Sequence, residues 1–218
     1  LNLASGSYTI SATYLNKTVT NNILIKPVKF ALEASDIYYG EDFIARSTFE
    51  GNVTGNVSFL IGDFTHNVTI SSSQATINLS SLKVGNYSIR ATYFNDHMSK
   101  AVDSSFEVRR ATPRISVSVS NIRPGEDEII EADISDNLTG NITFMVNSTT
   151  ESVEIANSKA VLKLSNLKTG IYDVSISYPG NENYTAFTYR TTFAVRNATS
   201  EIALNINNTY YGQDATIR

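Results

Sequence analysis

Leu79-Ser80-Ser81-Leu82-Lys83-Val84-Gly85-Asn86-Tyr87 returns further along the chain as Leu164-Ser165-Asn166-Leu167-Lys168-Thr169-Gly170-Ile171-Tyr172. A second motif, Thr54-Gly55-Asn56-Val57-Ser58-Phe59, returns as Thr139-Gly140-Asn141-Ile142-Thr143-Phe144, and both pairs are offset by 85 residues. Two separate motifs in one register mark an internal duplication, which sets the unit in which everything else is read. Gly40-Glu41-Asp42 recurs as Gly125-Glu126-Asp127 and, with one change, as Gly212-Gln213-Asp214. Leu3-Ala4-Ser5-Gly6-Ser7-Tyr8 matches the segment from Leu82 to Tyr87. Residues 28–110 and 111–197 are therefore expected to be two whole repeats. Residues 1–27 read as the end of a preceding repeat and 198–218 as the start of a following one, so the native protein is expected to be longer at both ends.

Within a repeat, apolar and polar residues alternate with the period of two that a strand shows when one face is buried and the other is wet. Phe43, Ala45, Ser47 and Phe49 alternate with Ile44, Arg46 and Thr48, and Ile130, Ala132 and Ile134 alternate with Glu131 and Asp133. Similar runs lie at Phe30, Val57, Val68, Ala75, Tyr87 and Phe106, which makes seven short strands in about 80 residues, separated by Gly, Asn, Ser and Asp clusters. No stretch carries a helical stripe, so the class is all-β, and this many short strands in a unit of this size form a two-sheet sandwich. Tyr87 opens a strand with Ile89 two positions later, as Tyr172 does with Val174 and Tyr8 with Ile10. That is the tyrosine-corner arrangement of the immunoglobulin fold. With no Cys and no Trp, Ile89 or Val174 holds the second-cysteine position and Phe59 or Phe144 the tryptophan position, which excludes an antibody-type domain. Gly85 and Gly170, which end the connection into the tyrosine strand, are expected at positive φ. Lys26-Pro27-Val28 and Arg110-Ala111-Thr112-Pro113 are too short for floppy tethers. The expected architecture is a set of tandem immunoglobulin-like seven-stranded β-sandwiches in a semi-rigid rod.

Composition removes several function classes. Charged residues are 17% and apolar ones 41% of the 218, the profile of a packed chain rather than a disordered one. A net charge of -4 gives no electrostatic footprint for a phosphate backbone, so nucleic acid is not an expected partner. Zero cysteines exclude disulfides and thiolate metal sites. No apolar run reaches the ~20 residues of a membrane helix, so no membrane insertion is expected in this segment.

Candidate sites are few. The two histidines, His66 and His97, both lie in the first repeat and have no counterpart in the second, and no carboxylate pair shows special spacing, so no catalytic residue and no cofactor is expected. Asp42, Asp127 and Asp214 recur at one position. Calcium would need six to eight oxygen ligands there, and an Asx turn before a strand accounts for a Gly-x-Asp as well. A Lys-Asn crosslink common to the repeats is excluded, because Lys29 is replaced by Arg114 and Glu201. Tyr38-Tyr39 and Tyr210-Tyr211 read as packing residues near the repeat start, or as a sugar platform. Asn-x-Ser/Thr occurs twelve times, where 22 Asn and 49 Ser or Thr in 218 residues predict roughly five. Alternation itself inflates that pattern, by putting polar residues at i and i+2. Asn56, Asn78, Asn86 and Asn141 are the glycosylation candidates, and Tyr8, Tyr87 and Tyr172 the structural corner residues.

The motif Thr-Gly-Asn-[Val/Ile]-[Ser/Thr]-Phe, then Leu-Ser-x-Leu-Lys-x-Gly-x-Tyr, then Tyr178-Pro179-Gly180-Asn181-Glu182-Asn183-Tyr184, resembles the bacterial Ig-like repeats of adhesin-like surface proteins in methanogenic archaea and bacteria. The first repeat departs from it after Tyr93, where Phe94-Asn95-Asp96-His97-Met98 lacks the Pro-Gly turn. The resemblance implies an extracellular, cell-surface location and a stalk role, with the repeats as spacers that project a distal binding region. The alternative is that the repeats themselves bind a host or microbial surface glycan or protein through end loops. It supplies no catalytic residues, and the protein is expected to be monomeric.

Overall fold

The computed structural model describes residues 3–95, 98–135, 137–197 and 210–213. The chain divides into two compact units, Leu1–Thr112 with Gly180–Thr185, and Pro113–Pro179 with Ala186–Arg218.

The first unit opens with a hairpin, β1 (Gly6–Tyr14) and β2 (Lys17–Ile25), which forms a two-stranded sheet of its own. There follow β3 (Phe30–Ala34), β4 (Ile37–Tyr38), β5 (Phe43–Phe49), β6 (Asn56–Ile61), β7 (Phe64–Thr69), β8 (Gln74–Leu79), β9 (Gly85–Phe94) and β10 (Ser99–Arg109). They make two sheets, β3-β5-β8 and β4-β10-β9-β6-β7. Every pairing is antiparallel except β4 with β10, which is parallel. The chain thus starts in one sheet, crosses at Ser35-Asp36 and adds two residues beside the last strand of the other.

The second unit repeats the plan with β11 (Ile115–Ser118), β12 (Glu128–Ile134), β13 (Asn141–Val146), β14 (Thr149–Glu154), β15 (Lys159–Leu164), β16 (Gly170–Tyr178) and β17 (Phe187–Val195). Its sheets are β11-β12-β15 and β14-β13-β16-β17, and a single parallel bridge, Ile122 with Val195, stands where β4 meets β10. Both units are immunoglobulin-like β-sandwiches, and the described residues contain strands and no helix. The strand that alternation did not signal is β4, which at two residues is too short to show a period.

The turns repeat as faithfully as the strands. Ser72 and Ser73 have φ of 50° and 60°, and Asn157 and Ser158 have 51° and 60°. Each pair is closed by reciprocal backbone hydrogen bonds, Ser71 with Gln74 and Ala156 with Lys159. Positive φ at both central residues is the primed hairpin turn whose twist matches the flanking strands. In the connection to β9 and β16 the left-handed residues are Ser81 (φ 61°) and Asn166 (φ 57°). Gly85 and Gly170 are positive too, at 156° and 159°, but sit at the extended end of the range.

The core of the first unit gathers the inward residues of both sheets: Phe43, Ala45, Phe49, Val57, Phe59, Ile61, Ala75, Ile77, Ile89, Ala91, Tyr93, Phe106 and Val108. Phe43 stacks on Phe106 with ring centroids 3.6 Å apart, and Tyr87 also stacks on Phe106 at 5.1 Å. Aromatic pairs add about 0.5–1.5 kcal/mol each beyond the area they bury. The second unit keeps the Tyr172–Phe193 stack, at 5.0 Å, but puts the carboxylate of Glu128 where the first has Phe43.

Gly180–Thr185 groups with the first unit although the strands flanking it belong to the second. Its turn is held by Asn181, whose Oδ1 accepts from the N–H groups of Asn183 and Tyr184, both at 2.9 Å. Ala111 N–H donates to Asn183 O and Thr185 N–H donates to Ala111 O, each at 2.9 Å. The Tyr184 ring meets Tyr39 edge to face at 5.5 Å.

Candidate functional site

The connection between β8 and β9 carries the first candidate set. Tyr87 points back over it, and its hydroxyl donates to Lys83 O at 2.9 Å. Tyr172 donates to Lys168 O at 2.9 Å in the second unit, and Tyr8 to Ala4 O at 3.0 Å in the hairpin. A bond four residues upstream from the head of a strand ties the incoming loop to the sheet edge, which is a structural task.

At the start of each repeat the Gly-x-Asp motif forms a turn from Tyr38 to Glu41 and from Arg123 to Glu126, closed by backbone bonds of 3.0 and 3.1 Å. Gly40 and Gly125 occupy the third position at φ of 89° and 90°, where a side chain would be strained. The group that caps this turn is the glutamate and not the aspartate. Glu41 Oε2 accepts from Tyr38 N–H at 2.8 Å, and Glu126 Oε2 from Arg123 N–H at 2.7 Å. Asp127 instead pairs with Lys163 at 2.7 Å, and hydrogen bonding to Lys163 holds its carboxyl below the usual aspartate range. Gly212 repeats the geometry at φ 82° with Gln213 N–H donating to Tyr210 O, while Asp214 lies outside the described residues. Among the described residues no group of three or more His, Cys, Asp and Glu is placed to hold a metal ion.

His66 sits partly buried on β7, opposite Phe59, at the rim of a cleft of about 580 Å³ formed with Phe64, Leu79, Leu82, Lys83 and Tyr87. The second repeat has Thr149 and Glu151 in place of Phe64 and His66, so the cleft is not a property of both units. His97 and Glu201 lie outside the described residues. Lys29 is exposed beside Glu50, at 3.7 Å.

The glycosylation candidates all fall on outward positions of strands. Asn78 is exposed on β8 and Asn86 on β9. Asn56 is half-buried at the head of β6, where its Oδ1 accepts from Thr69 Oγ1 at 2.9 Å. Asn141 is exposed on β13, and its Nδ2, the atom a sugar would take, donates to Ser152 Oγ at 3.0 Å. Asn147 serves the fold: at φ 53° it makes a turn, and its Oδ1 accepts from Asp173 N–H at 2.9 Å. The outer face of the larger sheet in the first unit also carries a two-point ion pair between directly opposed residues, Arg90 Nε to Asp103 Oδ1 at 2.7 Å and Nη2 to Oδ2 at 3.0 Å. The matching positions of the second unit are Ser175 and Arg190. No helix among the described residues is long and apolar enough to cross a membrane.

The strand order, the parallel contact of β4 and of Ile122 with the last strand of each unit, and the tyrosine corners define a tandem immunoglobulin-like β-sandwich protein. No family model matches the sequence, and no curated protein matches it. Among solved structures the chain is similar to the fibronectin(III)-like modules of Clostridium thermocellum CbhA, at 15% identity and a TM-score of 0.33 over 80% of this chain and 100% of that one. It is similar as well to the titin domains z1z2 in complex with telethonin, at 14% identity and a TM-score of 0.47 over 81% and 100%.

Proposed function

We propose that these repeats are non-catalytic structural modules of a surface-exposed, adhesin-like protein, spacing a binding region away from the surface that carries it. The observation that bears the reading is what the duplication keeps. Inward residues and corners persist, as Phe59/Phe144, Ala75/Ala160, Tyr87/Tyr172 and Tyr93/Tyr178, while charged outward positions change or vanish, as Arg46/Glu131 and Arg90/Ser175. A repeated binding or catalytic site would hold its polar groups; a repeated spacer needs only its core. The uncharged polar faces and the outward sequons at Asn56, Asn78, Asn86 and Asn141 suit an extracellular, glycan-bearing surface. Antibody raised against residues 28–197 and applied to cells of the native source tests this. Labelling of intact cells is the expected result, and labelling that appears only after permeabilisation overturns it.

The second reading, in which the repeats are themselves the adhesive surface for a glycan or protein, is favoured by one feature, the different connection after Tyr93 and after Tyr178. Saturable binding of residues 28–197 to a surface glycan or protein, lost when the Phe94–Met98 segment is exchanged for the corresponding one of the second repeat, would select it.

A further inference from the structure

The β1–β2 hairpin repeats the last two strands of a sandwich, and β1 carries most of the likeness. Gly6-Ser7-Tyr8-Thr9-Ile10-Ser11-Ala12-Thr13-Tyr14 reads against Gly85-Asn86-Tyr87-Ser88-Ile89-Arg90-Ala91-Thr92-Tyr93 with six of nine positions identical. The pairing register is also the same, Tyr8 opposite Ile23 as Tyr87 is opposite Phe106, and Tyr14 opposite Lys17 as Tyr93 is opposite Lys100. Yet the two faces differ entirely in burial. Ile10, Tyr14 and Ile23 are 56%, 81% and 43% exposed, whereas Ile89, Tyr93 and Phe106 are 1%, 1% and 3%.

The first repeat shows what such a face receives. Phe43 stacks on Phe106, and the Phe49 ring meets Tyr93 edge-on at 5.4 Å. Tyr93 donates its hydroxyl to Thr54 O at 3.0 Å, and β6 pairs antiparallel with the outer edge of β9 from Ile61–Ile89 to Asn56–Phe94. The second repeat covers its own copy in the same way, Tyr178 donating to Thr139 O at 3.3 Å. On β1 the apolar face is exposed, and among the described residues the matching edge has no partner strand, its sheet containing β2 alone.

We propose that the β1–β2 face is a docking surface for a half-sandwich of the kind formed by β3 and β5–β8. Its partner carries inward side chains that cover Ile10, Tyr14 and Ile23, a strand that pairs antiparallel with the edge of β1, and a carbonyl that accepts the Tyr14 hydroxyl. This rests on the reading of residues 1–27 as the end of a repeat and is independent of the surface role. A lone two-stranded hairpin is marginal in water, so occupation of the face converts it from a weakly held to a cooperatively folded element.

The test grafts the missing half. Residues 28–84 are placed directly before Gly6 of the chain, so that Val84 joins Gly6 as it joins Gly85, and a second graft uses residues 111–169 in the same way. Both grafts are expected to add a third cooperative unfolding transition and to slow amide exchange in β1 and β2 by about 100-fold or more relative to the ungrafted chain. Tyr14→Lys should abolish the added transition and the protection and leave the other two transitions in place. Fast exchange in β1 and β2 of both grafts overturns the proposal, as does protection that survives Tyr14→Lys. Concentration-dependent protection of the hairpin in the ungrafted chain, lost in Tyr14→Lys, would give the face to a second copy and also overturn it.

Discussion

Among the described residues Glu128 and Ser47 are the two buried polar ones, 1% and 0% exposed, and each stands where the other repeat has an apolar side chain, Phe43 and Ala132. Burial raises the Glu128 carboxyl above 4.5, the ordinary glutamate value, against a smaller opposing pull from Ser120 N–H, which donates to Oε1 at 2.8 Å. The folded state therefore holds this proton more tightly than the unfolded chain does. The contribution is full below the unfolded value and is lost as pH rises through the folded one. Stability of the second unit should fall over that window, and Glu128→Gln, which keeps an acceptor for Ser120, should flatten the fall. Urea midpoints measured across the acidic range check this, and equal slopes for both proteins would contradict it. Ser47 is simpler, because its Oγ is enclosed with no hydrogen-bond partner. A buried hydroxyl without a partner costs about 1–3 kcal/mol, so Ser47→Ala should stabilise the first unit by about 1 kcal/mol. A lower urea midpoint for Ser47→Ala would contradict this.

Among the elements, the connection that the tyrosine corner closes is the one most plainly written in the sequence, and it carries its own prediction. Tyr87→Phe and Tyr172→Phe each delete one hydroxyl-to-carbonyl bond while keeping the ring stack on Phe106 or Phe193. Each should cost its own unit about 1 kcal/mol, since Lys83 O and Lys168 O lie near solvent and water replaces part of what is lost. Denaturation midpoints unchanged within error would remove the corner's structural role. The strands and corners were legible because a half-buried strand needs period-two alternation and a corner needs a tyrosine at a fixed offset from the core. Other features were not. The Ser72-Ser73 turn lacks the glycine or asparagine that usually announces positive φ, and β4 is two residues long. The turn cap fell to Glu41 and Glu126 because a longer side chain reaches back to an N–H three residues earlier. Sequons can be read as strings, but whether Asn56 and Asn141 are already engaged depends on which hydroxyls face them across the sheet, and that is fixed by register.

At the scale of the whole molecule, the duplication supplies each repeat with its own set of inward residues. Contacts in such arrays are dominated by those inside a repeat, so stability is close to a sum over repeats. Units of about 85 residues are large enough to fold alone. The proposal that residues 28–110 and 111–197 are separate folding units is tested most directly by residue-resolved amide exchange of residues 28–197 as a function of urea. Two sets of core amides are expected, one containing Phe59, Ile89 and Phe106 and the other Phe144, Val174 and Phe193, each with its own free energy of opening. Ser47→Ala should shift only the first set and Glu128→Gln only the second. A single free energy shared by both sets, moved as one by either substitution, would contradict the account and show one common core.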